Sequence, residues 1–200
     1  MDFILATNNM KKLAEMTLEE LWYLFPIRLE EYNADYPALY KAESAAVEAA
    51  VGSENIFRIS HIGSTSVYGL KAKPIIDILL EVVTAAALEN AAHDLPDYGW
   101  IVMNEIKAAG RISLGKGYTE SGFADKVFHL HIRLPGDCDE LYFRDYLRVH
   151  HDVADAYAAL KTSLAEKHRF NRDAYTDAKT DFVKAAVAEA KREFGLKYRP

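Results

Sequence analysis

The stretch from Ile59 to Val82, ISHIGSTSVYGLKAKPIIDILLEV, combines a turn of small residues with an apolar strand that carries one acid in its middle, Asp77. The Gly63-Ser64 turn offers backbone N–H groups and hydroxyls that can bind a phosphate group. A carboxylate on a neighbouring strand can hold a divalent cation against that phosphate. This combination of turn and acid indicates chemistry on a nucleoside triphosphate.

The strand predicted from Pro74 to Val83 is apolar and rich in β-branched residues, which is typical of a central buried strand. Its side chains alternate between two faces, so Asp77 shares a face with Glu81, while the opposite face is wholly apolar and should carry helices. Charges are rarely placed in such a strand unless they are paired or bound to a metal. Asp77 is therefore predicted to contact a metal ion or substrate, with an ion pair to Lys73 or Arg133 as the alternative.

The composition fits one globular domain. The chain has 200 residues, of which 50% are hydrophobic and 27% are charged. Its one cysteine, Cys138, cannot form an internal disulfide, and the sequence has no paired-cysteine motif for zinc. The N-terminus lacks a signal-peptide pattern, and no segment reaches the ~18 consecutive apolar residues of a membrane span. We therefore expect a cytoplasmic protein without membrane contact.

The formal net charge of −6 argues against an extended nucleic-acid-binding surface, which normally shows as a basic face. Basic side chains nevertheless lie in or beside the segments of the candidate site, where they could hold an anionic small molecule. They are Lys71, Lys73, Arg111, Lys116 and Arg133. The alternative for each of them is an ordinary solvated surface charge.

The N-terminal region is predicted to contain a short helix, because Thr17 and Glu20 form a capping box before an apolar-periodic stretch that ends at Pro26. We assign residues 1–26 to an N-terminal helical extension and residues 27–200 to a single domain. The first part of this domain should contain a helix at Asp35–Val51, a strand at Ile56–Ile62, the strand with Asp77, a helix at Ala85–Leu95 and a short strand at Gly99–Met103.

The second half of the chain changes from strands to helices. Strands predicted at Gly110–Leu114 and Lys126–Arg133 are joined by the glycine-rich segment GKGYTESGFAD and resemble a long hairpin. Three helical stretches follow, near Asp139–Val149, Asp152–Lys167 and Ala174–Glu193. Because the sequence contains no flexible linker or repeat, we expect this helical third to pack on the sheet.

The segment FHLHIR, in the second strand of this hairpin, places His129, His131 and Arg133 on one face. Two imidazoles at this spacing can ligate one ion. Together with Asp77 and, as a further candidate, His61, they form a ligand set that favours Mn²⁺, Fe²⁺ or Zn²⁺ over Mg²⁺, which prefers oxygen. A hydrogen-bonded pair of structural histidines is the alternative.

Four blocks of sequence are similar to successive parts of the GrpB family: HIGSTSVYGLKAKPIIDILLEV, GRISLGKGYTESGFADKVFHLHIR, DELYFRDYLRVHHDVADAYAALK and RDAYTDAKTDF. The resemblance extends from about Leu13 to Gly195, and similar domains are found fused to dephospho-CoA kinases. The family is grouped with the nucleotidyltransferase fold of the DNA polymerase beta type. The resemblance therefore implies an α/β fold with a mixed β-sheet, helices packed mainly on one face and a helical C-terminal third.

The nucleotidyltransferase signature consists of an apolar residue, Gly and Ser, followed about ten residues later by acid-apolar-acid. This chain resembles it at Ile62-Gly63-Ser64 and at Asp77-Ile78, but Leu79 stands in place of the second acid. The usual pair of acidic metal ligands is therefore incomplete. The resemblance implies that His129 or His131 takes the place of a further acid from a later strand.

The resemblance implies a protein that binds a nucleoside triphosphate with a divalent metal and transfers the nucleotidyl group to an unknown acceptor. The metal would be Mg²⁺ or Mn²⁺, with Zn²⁺ or Fe²⁺ as alternatives. The candidates for phosphate binding are Gly63, Ser64, Thr65, Ser66 and Lys73. A simple cap at the start of a helix would use the same small residues.

The segment RISLGKGY contributes further candidates, Arg111, Lys116 and Tyr118, which would close over the nucleotide. They would otherwise serve only the turn chemistry around Gly115 and Gly117. Two rival functions also stay open. Loss of the second acid favours a catalytically degenerate nucleotide-binding or interaction domain, and the histidine cluster favours a metal-dependent hydrolase that activates water.

Overall fold

The computed structural model describes residues 11–136 and 139–198, so the first ten residues of the predicted N-terminal extension and Cys138 lie outside the described residues. In this part of the chain the helices are α1 (Leu18–Leu24), α2 (Tyr36–Val51), α3 (Ala85–Asp94), α4 (Asp139–Val149), α5 (His151–Lys167), α6 (Arg172–Asp177) and α7 (Thr180–Phe194). The strands are β1 (Ile56–Ile62), β2 (Ile75–Val82), β3 (Ile101–Ile106), β4 (Arg111–Thr119) and β5 (Gly122–Arg133). Within these two ranges, none of the helices combines the length and apolar character that a membrane-spanning helix needs.

The strands form one mixed sheet in the order β1-β2-β5-β4-β3. β2 pairs antiparallel with β1 and parallel with β5, and the remaining neighbours are antiparallel. β2 is therefore an interior strand, as its apolar sequence predicts. The parallel register places Asp77 of β2 directly opposite His129 of β5.

The apolar face of β2 packs against α2 and α3, which confirms the predicted position of these helices. Ile78 and Leu80 are fully buried and share one hydrophobic cluster with Val47 of α2 and Leu88 of α3. Full burial of a large aliphatic side chain contributes about 1.5–3 kcal/mol. This layer fixes β2 in place and directs Asp77 to the opposite side of the sheet.

Helices also cover part of that opposite side. Leu79 is fully buried there against Leu141 and Tyr142 of α4 and Ala190 of α7. The sheet thus has helices on both faces, which corrects the expectation of helices mainly on one. The apolar side chain at the position of the missing second acid gives the C-terminal helices a surface on which to pack.

The β4–β5 hairpin is longer than predicted. β4 continues to Thr119 and β5 begins at Gly122, so most of GKGYTESGFAD is strand and the turn itself is short. Gly117, at the irregularity in this ladder, has φ +89°, and a Cβ there would lie 2.2 Å from the carbonyl oxygen of Lys126. The segment is therefore an ordered hairpin and not a loop that closes over a ligand.

The predicted helices are confirmed, with one division. α1 begins with the predicted capping box, in which the N–H of Glu20 donates to Thr17 Oγ1 at 3.2 Å. The stretch predicted as one helix from Ala174 to Glu193 forms two helices, α6 and α7. Lys179 lies at the break between them and lines the cavity described below.

Candidate metal and phosphate site

Asp77, His129 and His131 form one cluster at the centre of the sheet. Asp77 Oδ1 lies 3.0 Å from His129 Nδ1 and 3.9 Å from His131 Nε2. One ligand atom from each side chain lies within 4.8 Å of the other two, a geometry that can hold a metal ion. The parallel β2–β5 register brings Asp77 and His129 together, and the period of two in a strand places His131 on the same face.

The second ring nitrogen of each histidine has a hydroxyl partner. His129 Nε2 lies 2.6 Å from the Tyr118 hydroxyl, and His131 Nδ1 lies 3.2 Å from Ser113 Oγ. Metal-binding histidines almost always have such a partner, which fixes the tautomer and orients the ring. The residues present therefore fit a metal bound by two nitrogens and one oxygen, a set that suits Zn²⁺, Fe²⁺ or Mn²⁺ better than Mg²⁺.

The protonation of the cluster also suits a metal. Burial would raise the pKa of the Asp77 carboxyl, but the hydrogen bonds and charges of His129 and His131 outweigh burial and hold this pKa below its usual range. Burial lowers the pKa of His129 and outweighs the attraction of Asp77. A carboxylate and a neutral imidazole are the forms that bind a metal ion.

The Gly63 turn lies directly against the Asp77 carboxylate. Ile62, the residue before the turn, pairs with Asp77 in the β1–β2 ladder. Gly63 has φ +69°, and a Cβ on it would lie 2.2 Å from Asp77 Oδ2. The structure thus brings the turn and the acid together, and only glycine fits between them.

The turn and the cluster open on one cavity of about 530 Å³ between the sheet and the C-terminal helices. Four cationic side chains line this cavity, namely Lys73, Lys161, Arg172 and Lys179. Its lining carboxylates are Asp77, Asp139 and Glu140. Because Asp139 pairs with Lys191 and Glu140 pairs with Arg133, two of these carboxylates are already neutralised.

Three of the cations are held in the cavity by contacts other than ion pairs. Lys161 of α5 is only 3% exposed and donates to Ser64 Oγ at 2.9 Å and to the carbonyl of Lys71. The ammonium of Lys179 lies 4.2 Å from the centre of the Tyr175 ring, and that of Lys73 lies 5.8 Å from it. Among the residues that the structure describes, neither the Lys73 nor the Lys179 side chain has a hydrogen bond or an ion pair.

The pKa values of these lysines report their burial and, for Lys73 and Lys161, the neighbouring positive charges as well. Burial, followed by the neighbouring cations, lowers the pKa of Lys73 to about 7 and that of Lys161 to about 7. Burial lowers the pKa of Lys179 to about 8. A bound anion would be attracted by these cations, so the cavity has the electrostatics of an anion site beside the Asp77–His129–His131 cluster.

His61 does not belong to the cluster of Asp77, His129 and His131, which corrects its prediction as a ligand. It pairs with Ile78 in the β1–β2 ladder and therefore faces the α2 layer, away from Asp77. Its ring stacks on Tyr40 at 4.7 Å, and its Nε2 lies 3.0 Å from Thr65 Oγ1. Burial lowers the pKa of His61 to about 4, as expected for a neutral structural histidine.

Lys116, Arg111 and Arg133 also lie outside the cavity lining. Lys116 faces the α2 layer, where its Nζ lies 2.7 Å from Oε1 of Glu43, so its prediction as a phosphate ligand was wrong. Arg133 forms a bidentate ion pair with Glu140. It thereby positions the Glu140 carboxylate, which lines the cavity, without lining the cavity itself. Arg111 is the first residue of β4, away from the cluster.

The hydroxyls of Thr65 and Ser66 shape the turn. Ser66 Oγ donates to the Gly63 carbonyl at 2.6 Å, and Thr65 Oγ1 donates to the Ile75 carbonyl at 3.2 Å. Both side chains are buried, and Ser66 does not line the cavity. Of the predicted phosphate-binding residues, Gly63, Ser64, Thr65 and Lys73 thus line the cavity, but the Thr65 hydroxyl is already bonded to the Ile75 carbonyl.

Sequence reasoning assigned only Lys73 among the four cavity cations and did not assign Lys161, Arg172 or Lys179 to the site. A signal for Lys161 exists, since it follows Tyr157 by one helical turn on the buried face of α5. A lysine among apolar residues on a helix face is unusual without a partner. Nothing in the local sequence distinguishes Arg172 from the other basic residues of the C-terminal third.

Comparisons with known proteins identify the family. The family model described as GrpB protein matches residues 26–189. The chain is 34% identical to UPF0157 protein YqkA of Bacillus subtilis over 187 residues, which cover 90% of this chain and about half (53%) of that protein. It is 32% identical to UPF0157 protein BH1888 of Halalkalibacterium halodurans, covering 90% and 91% of the two chains. The crystal structure of conserved protein GrpB from Enterococcus faecalis superposes with a TM-score of 0.73 at 31% identity, covering 84% of this chain and 99% of that one. The chain therefore belongs to the GrpB family.

Proposed function

We propose that this protein binds a nucleoside triphosphate together with one divalent metal ion and transfers the nucleotidyl group to an acceptor hydroxyl or amine. The proposal rests on one observation: a cluster of two histidines and one carboxylate lines the same cavity as four cationic side chains. Asp77, His129 and His131 would hold the metal. The phosphates would lie on the Gly63-Ser64 turn and on Lys73, Lys161, Arg172 and Lys179.

The residues of the cavity suit the charge changes of this reaction. The acceptor atom forms a bond to the α-phosphorus and loses its proton to the surrounding water, the bond from that phosphorus to the bridging oxygen breaks, and pyrophosphate leaves with the electron pair. Lysine and arginine side chains stabilise the negative charge that develops on the leaving group. The metal, when bound, withdraws charge from the α-phosphate. Tyr157 and Tyr175 also line the cavity and contribute aromatic surface to it.

The ligand set favours a second candidate, metal-dependent hydrolysis of a phosphate ester. A single ion held by two histidines and one carboxylate would leave coordination positions open for water, as in catalytic zinc sites. Leu79 favours a third, a nucleotide-binding domain without turnover, because its side chain is fully buried and offers no second carboxylate to the cavity.

One labelling experiment separates these functions. The protein is incubated with triphosphates labelled at the α or γ position, with Mn²⁺, Zn²⁺ or Mg²⁺, and with a mixture of cellular small molecules as acceptors. We expect the α label in a new product and the γ label in pyrophosphate. Labelled nucleoside phosphates without a new product would show hydrolysis, and retention of unchanged triphosphate would show binding alone. If the protein neither retained nor converted any triphosphate, the proposal would be wrong.

The lysine pKa values predict how anion binding depends on pH. Lys73, Lys161 and Lys179 lose their protons near pH 7, 7 and 8, respectively, in the unliganded protein. An anion binds the protonated lysines, so affinity is highest below pH 7 and falls as pH rises through 7 to 9. Sulfate is a suitable probe because its own charge is constant in this range. We expect its dissociation constant, from calorimetry without metal, to rise about tenfold or more between pH 6 and 9.

A matched pair of variants assigns this pH dependence. Lys179→Met should weaken sulfate binding at pH 6 and reduce its change with pH, because one of the titrating cations is gone. Lys41→Met removes an exposed lysine of α2 and should leave the profile unchanged. A sulfate affinity that stayed constant or increased with pH would contradict the assignment of these lysines as the anion ligands.

A further inference from the structure

The Tyr118 hydroxyl lies between a metal-ligand candidate and a cavity cation. It lies 2.6 Å from His129 Nε2, and Arg172 Nη2 donates to it at 3.2 Å. Tyr118 belongs to β4, His129 to β5 and Arg172 to α6, so this chain of hydrogen bonds connects the sheet with the C-terminal helices. His129 also connects these hydrogen bonds to Asp77, because His129 Nδ1 is hydrogen-bonded to Asp77 Oδ1.

The protons in this chain can be assigned. Asp77 is a carboxylate and can only accept, so His129 Nδ1 carries the ring proton in the metal-free protein. His129 Nε2 then has a lone pair and accepts the Tyr118 O–H, while the phenol oxygen accepts the N–H of Arg172. Each donor in the chain therefore has an acceptor.

A metal bound at His129 Nδ1 requires the other tautomer, in which Nε2 carries the proton. Nε2 must then donate where it previously accepted. A phenol hydroxyl can serve in both arrangements because it is both donor and acceptor, whereas an apolar side chain would leave the partly buried N–H without a partner. Removing an outer partner of this kind typically weakens metal binding by about 10- to 100-fold.

We propose that Tyr118 is a positioning residue of the metal centre, whose hydroxyl accepts the Nε2–H of His129 when Nδ1 binds the ion and so stabilises the metal-bound tautomer. This inference rests on the metal centre of the proposed function. Arg172 holds the phenol oxygen and also lines the anion cavity, so the same chain of hydrogen bonds extends from the phosphate ligands to the metal ligands.

The surroundings of Tyr118 allow the hydroxyl to be tested alone. Its ring contacts Phe25 at 4.9 Å and Phe123 at 5.3 Å between ring centres, and its ring plane lies almost parallel to that of His129. Phenylalanine keeps all of these ring contacts. Tyr118→Phe therefore removes the hydroxyl while the aromatic packing around it stays in place.

The test is the dissociation constant for Zn²⁺, measured by calorimetry on the full chain. We expect Tyr118→Phe to bind Zn²⁺ about 10- to 100-fold more weakly than the unsubstituted protein. The matched control is Tyr98→Phe, which removes an exposed tyrosine hydroxyl outside the cavity and should bind as the unsubstituted protein does. Equal Zn²⁺ affinity in Tyr118→Phe and the unsubstituted protein would overturn the role of Tyr118 alone. Absence of Zn²⁺ binding in the unsubstituted protein would overturn the metal centre as well.

A second measurement needs no substitution. In protein labelled with ¹⁵N-histidine and saturated with Zn²⁺, the nitrogen spectrum should show His129 with a protonated, hydrogen-bonded Nε2 and a metal-bound Nδ1. The metal-free spectrum should show the opposite tautomer, with the proton on Nδ1 facing Asp77. A Zn²⁺-bound spectrum in which Nε2 carries the metal and Nδ1 the proton would overturn the inference.

Discussion

Asp77→Asn is expected to abolish turnover of nucleoside triphosphate and to weaken Zn²⁺ binding by at least about 100-fold. Loss of a residue that only supports a metal ligand weakens binding by up to about 100-fold, and loss of a ligand itself should cost at least as much. The amide keeps the size of the side chain and can still accept the hydrogen bond of His129, so the fold should persist. It lacks the negative charge that suits a carboxylate to bind a metal ion. Circular dichroism and thermal unfolding would establish that the variant is folded. Calorimetry would measure its Zn²⁺ affinity, and the experiment with labelled triphosphates would measure its turnover.

The same variant distinguishes metal binding from anion binding. Asp77 is a negative charge beside the anion cavity and raises the pKa of Lys73, Lys161 and Lys179 against the effect of burial. Its removal takes away a repulsion of anions but also lowers these lysine pKa values, so metal-free sulfate binding should persist in Asp77→Asn at pH 6 and its fall with pH should begin at a lower pH. Asp97→Asn, at an exposed position outside the cavity, serves as the control for the substitution itself. Unchanged turnover in Asp77→Asn would remove this residue from the mechanism.

The sequence predicts most of the elements around this site because their patterns are local. The apolar run of β2 and the capping box of α1 depend on neighbouring residues, and both are confirmed. The period of two also places His129 and His131 on one face correctly. What the sequence does not contain is the pairing of β2 with β5, because strand order and register are set by tertiary contacts.

Errors at the site have the same physical origin. Alternation shows which residues share a face, but not which face meets the cavity, and this is why His61 and Lys116 were assigned to the wrong side of the sheet. The helices of the C-terminal third supply Lys161, Arg172 and Lys179 to the cavity. Their convergence depends on how these helices pack on the face around Leu79, which no local pattern describes.

Gly63→Ala is expected to damage both the fold and the site, for two separable reasons. Gly63 has φ +69° and ψ −176°, a backbone region that is essentially reserved for glycine and costs other residues of order 1–3 kcal/mol. The added methyl would also lie 2.2 Å from Asp77 Oδ2, and relief of such a clash costs typically 1–3 kcal/mol more. Because the carboxylate must move away from the turn, Zn²⁺ affinity should fall by about tenfold or more, which corresponds to a change of about 1.4 kcal/mol.

The matched control is Gly69→Ala, a few residues further along the chain. Gly69 also has a positive φ, +76°, but a Cβ there meets no atom of another described residue within 4 Å. Gly69→Ala should therefore show only the backbone cost, measured as a lower free energy of unfolding in a urea titration. Its Zn²⁺ affinity should equal that of the unsubstituted protein. The difference in Zn²⁺ affinity between the two variants isolates the contact between the turn and the acid, because only the methyl group at Gly63 would meet Asp77. If Gly63→Ala unfolded like Gly69→Ala and bound Zn²⁺ normally, the carboxylate would not lie against the turn, and the metal and the phosphates could not share one site.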